Sequence, residues 1–123
     1  MSAIESPSTR LAWYAAEELK QYYAAEIDAD GKIAKATQAG QYVGQVQYGA
    51  EAEDDMVTVV KGIFPAIATE AIEVGDDISV SATAGVLMVA VTGPGATTVI
   101  GKALSAAAAP ANGIYETFTL FMY

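Results

Sequence analysis

The sequence predicts an all-β fold in one small domain, a β-barrel or a sandwich. Two patterns carry that expectation: many short runs of β-branched and aromatic residues, and frequent Gly- and Asp-containing turns between them. Size and composition agree. The chain has 123 residues, which fits one domain, and 53% of them are hydrophobic, enough for a packed core.

Taken in order, residues 1–12 read as a flexible N-terminal arm and residues 13–123 as the single β domain. The opening stretch, Met1 to Thr9, is small and polar, contains Pro7 and shows no period. Between Trp13 and Glu26 the signals are mixed. Ala15 to Lys20 favours helix by propensity, while Gln21 to Ile27, with two tyrosines, suits a strand. The expectation is a short N-terminal helical turn followed by a strand. Asp30-Gly31 then marks a hairpin turn. Strands are expected at Ile33 to Thr37, Val43 to Tyr48 and Met56 to Ile63, with a further short one at Ala66 to Thr69. An acidic loop from Glu51 to Asp55 precedes the Met56 strand, which is the most β-branched of the set. Beyond a turn at Glu73 to Asp77, strands are expected at Ile78 to Ser81, Val86 to Val91, Val99 to Leu104 and Ile114 to Met122. A faint internal echo links the halves. Asp30 to Ala34 resembles Ala84 to Met88, Val43 to Val46 resembles Ile100 to Ala103, and Met56 to Val59 resembles Glu116 to Thr119.

Charge is distributed unevenly. From Ile78 to Tyr123 only Lys102 and Glu116 are charged. A half-chain so poor in charge is expected to be covered, by copies of itself or by a larger assembly. The net charge is −9, from 15 acids and 6 bases, and the bases are scattered, which disfavours direct nucleic-acid binding. Histidine and cysteine are both absent, which removes the Ser-His-Asp and Cys-His nucleophile systems, His metal sites and disulfides. No run approaches the roughly 20 apolar residues that span a bilayer. The first ten residues lack a signal-peptide pattern, and cytosolic synthesis fits.

Three motifs bear on possible chemistry. Asp28, Asp30 and Gly31 suggest a calcium loop, but Ile33 stands where an EF-hand needs glycine. The stretch from Gly95 to Ala103 has five residues between its glycines and Ala103 after Lys102, so it does not fit a P-loop. Glu51, Glu53, Asp54 and Asp55 read as a solvated loop whose charge opposes edge-to-edge pairing. The tyrosines and Trp13 of the first half sit among acids, so core or subunit contact is favoured over base stacking. No cofactor, metal or small-molecule substrate is expected.

The ordered pattern resembles a known family. Its blocks are Ala15 to Leu19 with Tyr23 and Asp28 to Ile33; Tyr42 to Val46; Val57 to Gly62 with Ala71 to Asp76; and Val99 to Leu104 with the small-residue loop and final strand. Together they resemble the capsid decoration, or cement, proteins of tailed bacteriophages. That resemblance implies a compact, tulip-like β fold without catalysis. It also implies clusters, commonly homotrimers, on the outside of the expanded head, where they bridge neighbouring major capsid proteins. The virion surface is therefore the expected location and the major capsid protein the expected partner. The N-terminal arm is the candidate capsid anchor, through Ser2, Ala3, Ile4, Pro7 and Thr9. The candidate subunit-contact residues are Val89, Val91, Leu104, Ile114, Phe118 and Phe121. The rival readings are another phage structural part, such as a tail-tube or head–tail joining protein, and a small β-barrel ligand-binding module with a tyrosine-lined pocket. A carboxylate enzyme is the remote third.

Overall fold

A computed structural model describes residues 6–123. They form nine strands: β1 (Ser6–Tyr14), β2 (Ala24–Ile27), β3 (Ile33–Lys35), β4 (Tyr42–Tyr48), β5 (Met56–Ala68), β6 (Asp77–Val80), β7 (Leu87–Val89), β8 (Gly101–Ala103) and β9 (Glu116–Met122). One 3₁₀ turn, Ala39–Gln41, is the helical element among the described residues. The fold is an all-β barrel, one of the two architectures that the strand pattern allows and the one that the family resemblance implies, with the sheet order β3-β2-β4-β5-β7-β6-β8-β9. β5, β7, β6, β8 and β9 close into a five-stranded barrel, because β5 also pairs with β9.

β5 organises the molecule. Its 13 residues absorb both the Met56 run and the Ala66 run, which the sequence suggested as separate strands. Side chains alternate across a strand, and here the two faces serve different cores. Val57 and Val59 join a buried cluster with Ala15, Leu19, Ala25, Ile33, Val46 and Ala50. Val60, Phe64, Ala66 and Ala68 join a second cluster with Ile72, Ile78, Leu87, Phe118 and Leu120. Burying an aliphatic or Phe side chain contributes about 1.5–3 kcal/mol before entropy is counted, so the two clusters hold the strand from both sides.

The two halves repeat one topology. β3-β2-β4-β5 and β7-β6-β8-β9 run in the same order with the same antiparallel pairings. Registers agree residue by residue. Ala25 faces Gly44 as Ile78 faces Gly101, and Val46 faces Val59 as Ala103 faces Leu120. β1 stands to the first half as the C-terminal part of β5 stands to the second. Leu11 pairs Val59 and Trp13 pairs Val57, just as Phe64 pairs Leu120 and Ala66 pairs Phe118. The closing contacts repeat too: a parallel bridge Ala15–Ile33 matches the parallel pair Ala68–Leu87. The Ala16 N–H donates to the Ile33 carbonyl at 2.7 Å and the Thr69 N–H to the Leu87 carbonyl at 2.8 Å. The bridge Leu19–Ala50 matches Ile72–Ala107. Gly44 and Gly101 are equivalent in packing as well. A Cβ on Gly44 would run into the Val60 carbonyl oxygen, and one on Gly101 into that of Phe121, with a neighbouring side-chain carbon at 3.0 Å in each case.

Two expectations for the N-terminus change. The helical turn over Ala15 to Lys20 does not form. Ala15 and Leu19 are buried and bridge to Ile33 and Ala50, so closing the first ring of strands overrides helix propensity. The flexible arm expected over residues 1–12 is a strand from Ser6 onward, paired along β5 with a register shift between Pro7 and Thr9. Residues 1–5, including Ser2, Ala3 and Ile4, lie outside the described residues.

Candidate interaction surfaces

The acidic features resolve into turns and ion pairs. The Asp28 carboxylate accepts the backbone N–H groups of Asp30 and Lys32 at 2.9 and 3.0 Å, closing the β2–β3 turn. Lys32 reaches the acidic loop, with its Nζ 2.9 Å from Glu53 Oε2 and 2.8 Å from Asp54 Oδ1. Hydrogen bonds to Asp54 and then Glu53 raise the Lys32 pKa above the usual lysine range. Asp55 accepts the Ala52 N–H at 3.1 Å. Lys102, the cation of the P-loop-like stretch, sits in β8 and pairs with Asp77 at 3.2 Å, which raises its pKa.

Tyr22, Tyr23 and Tyr42 of the first half pack rather than line a pocket, whereas Tyr48 is exposed. Tyr22 meets Phe64 with ring centroids 5.7 Å apart. The Tyr23 ring lies against Gly85, where an added Cβ would sit 3.1 Å from it. The Tyr42 hydroxyl donates to Gln45 Oε1 at 2.8 Å, and burial pushes its pKa well up. A shallow open groove of about 330 Å³ is lined by Glu26, Ile27, Asp28, Ala29, Gln38 and Gln41, with no tyrosine.

The exposed large apolar side chains fall in both halves. Among the candidate subunit-contact residues, Val91, Leu104, Ile114 and Phe121 are exposed and Val89 is half-buried. Phe118 is corrected: it is buried in the chain's own core, opposite Ala66, and offers no surface to a second copy. Phe121 stacks edge-on with Tyr123 at 6.2 Å between centroids and lies opposite Lys102. Val91 and Ile114 sit on separate loops. Of the candidate arm residues, Pro7 pairs with Gly62 and Thr9 with Lys61 in β1.

β1 itself carries what the sequence reading missed. The sequence does not single out Leu11, and it assigns Trp13 and Tyr14 no more than core or subunit contact. All three are exposed although they belong to a paired strand. The Trp13 indole N–H donates to the Gly31 carbonyl at 2.8 Å, which pins the ring over the β2–β3 turn, and Tyr14 packs edge-on against it at 5.6 Å. The alternation of Leu11 and Trp13 was the available signal: apolar residues two apart share one face of a strand.

Comparison with known proteins places these surfaces in context. A family model described as phage cement protein matches residues 37–118, about two thirds of the chain and parts of both halves. The fold is similar to a solved structure described as the head fiber gp8.5 N base in bacteriophage phi29. The TM-score is 0.66 at 20% identity, over 94% of this chain and 93% of that one. No curated protein matches the sequence.

Proposed function

Because this chain belongs to the phage cement protein family, structural proteins of the phage head, we propose that it decorates the outer surface of the head and bridges neighbouring major capsid proteins. The family match is the observation that carries the reading. The mechanism is passive. A protein that binds only the assembled shell stabilises that state by mass action, and contacts repeated over many copies add avidity. Catalysis has no part in it. The location that follows is the virion exterior, after synthesis in the host cytoplasm.

The protein acts as a homotrimer, with Ile78 to Tyr123 supplying the subunit contact. Exposed Val91, Leu104, Ile114 and Phe121 in a charge-poor half support that assignment. The N-terminal segment, through Ser2, Ala3, Ile4, Pro7 and Thr9, anchors the protein by adding to a sheet edge of the shell protein. Electron microscopy of purified virions made with and without this chain tests the reading. Density on the head exterior that disappears with the chain, and earlier DNA release on heating, are expected. Heads of equal stability and appearance would overturn it. Light scattering at micromolar concentration tests the trimer, and a stable monomer there would count against a preformed one.

A further inference from the structure

The repeat supplies its own measure of what is missing. Where the two halves meet, the second half's Phe64 and Ala66 are fully buried, at 0% exposure each. They are covered from the first half: Tyr22 packs on Phe64, and Ala24 and Ala36 join the same cluster. The β6–β7 turn is clasped at the same junction. The Ala24 N–H donates to the Gly85 carbonyl, and the Gly85 N–H to the Ala36 carbonyl, both at 2.9 Å. The junction therefore has a receiving half, the C-terminal part of β5 with the Gly85 turn, and a covering half from β2 and β3.

The first half carries the same receiving surface with nothing on it among the described residues. Leu11 and Trp13 occupy the register positions of Phe64 and Ala66, yet are 43% and 44% exposed. In the Gly31 turn, equivalent to the Gly85 turn, a Cβ added at Gly31 would meet no atom of the described residues within 4 Å, and the Gly31 carbonyl is held by Trp13. End units of repeat arrays ordinarily carry polar outer faces, and this one keeps a leucine and a tryptophan.

The covering half of a second copy does not fit it. The position of Ala24 is taken in the second half by Asp77, which is exposed and paired with Lys102, and the Tyr22 position by Gly75, whose N–H bonds Ala103 as that of Tyr22 bonds Val46. The first half's own covering face is already used inside the chain. Head-to-tail stacking of copies is therefore disfavoured, because it would place an ion pair against Leu11 and Trp13.

We propose that the Leu11–Trp13 face of β1, with the Gly31 turn, is a docking surface for a different polypeptide. Its occupant offers small and aromatic side chains from a β-sheet and backbone groups that clasp the Gly31 turn, as the first half does for the second. Resting on the decoration reading above, that polypeptide is the shell protein.

The test uses the full-length protein and expanded heads lacking it. Leu11→Glu and Trp13→Ser are compared with Val74→Ser, an exposed turn position of the second half. Both β1 variants are expected to melt close to wild type and to bind heads at least tenfold more weakly, with Val74→Ser binding as wild type. Hydroxyl-radical footprinting of wild type is expected to show Trp13, the single tryptophan, protected on heads and reactive in the free protein. Wild-type binding by both β1 variants, or a Trp13 equally reactive on heads, would overturn the docking surface while leaving decoration intact. Failure of wild type itself to bind heads would overturn the decoration reading and this partner together. Sedimentation showing copies that associate through this face, lost in Leu11→Glu, would assign the surface to a second copy and overturn the choice of occupant.

Discussion

The first and second halves of this chain share a topology and a strand register but almost no surface chemistry. The first half carries the acidic loop from Glu51 to Asp55 and the exposed Leu11, Trp13 and Tyr14. The second is nearly free of charge after Ile78. The properties that do match are inward-facing and few. They are apolar residues at paired positions, such as Ile33 and Leu87 or Val59 and Leu120, and glycines where strands approach closely, Gly44 and Gly101. A small set of buried contacts and close approaches suffices to specify the unit, and the outer residues are left to diverge with their partners.

That equivalence can be broken most severely in the cores. Phe118 and Val57 hold equivalent places opposite Ala66 and Trp13. Aspartate at either position buries an unpaired carboxylate, costing about 4 kcal/mol or more. Phe118→Asp and Val57→Asp should both abolish soluble folded protein. Wild-type melting of either would show that its half does not depend on that cluster.

A milder probe sits at the two glycines. Gly101→Ala should cost about 1–3 kcal/mol as its neighbours yield. Gly44→Ala meets the same obstacle at φ +146, and backbone strain adds about 1 kcal/mol. Urea denaturation of the two variants checks the order, and equal midpoints would remove the conformational difference between the halves.

Smaller still is the ion pairing of Lys32 with Glu53 and Asp54. A lysine pKa raised in the folded state contributes stability that is fully present below its unfolded value, near 10.5, and is lost as pH rises through the folded value. Replacing Lys32 with Gln should lower the melting temperature slightly, by the same amount from pH 6 to pH 9. The difference should shrink in high salt, since the pair is exposed. A deficit that grew with salt would show that Lys32 acts through packing. Glu51→Lys, on the exposed acidic loop, should shift stability by no more than about 0.5 kcal/mol. A larger loss by calorimetry would mean that the loop's charge is structural.

Much of this architecture was legible because turn chemistry and β-branching are local. The strands from β2 to β9 fall within or beside the runs that suggested them, and Gly31 with Gly85 and Gly44 with Gly101 are paired as the echo proposed. The third echo slipped by one residue: it set Val57 against Thr117, whereas the register sets Val57 against Phe118. Loops of unequal length between the paired strands hide a constant spacing. Tyr22 hid another match. It has φ 74 where its counterpart Gly75 has φ 89, so the glycine that would have marked the turn is absent. The stretch from Ala15 to Lys20 misled because its fate is decided by distant partners, Ile33 and Ala50. The alternation of Leu11 and Trp13 shows that they share a strand face, but not that the face is exposed. Both look like core residues by composition, and only the occupied site in the second half shows what covers their equivalents.

The sharing of β5 also shapes how the protein loses its structure. Tandem units joined by a linker can melt one at a time, as long repeat arrays do. Here a single 13-residue strand lends one face to each core, so releasing β5 from either ring strips a wall from the other. The two units are thereby merged into one cooperative foldon. Amide exchange along β5 should follow global unfolding rather than local opening, and partly opened forms that expose strand edges to neighbouring copies should stay sparsely populated.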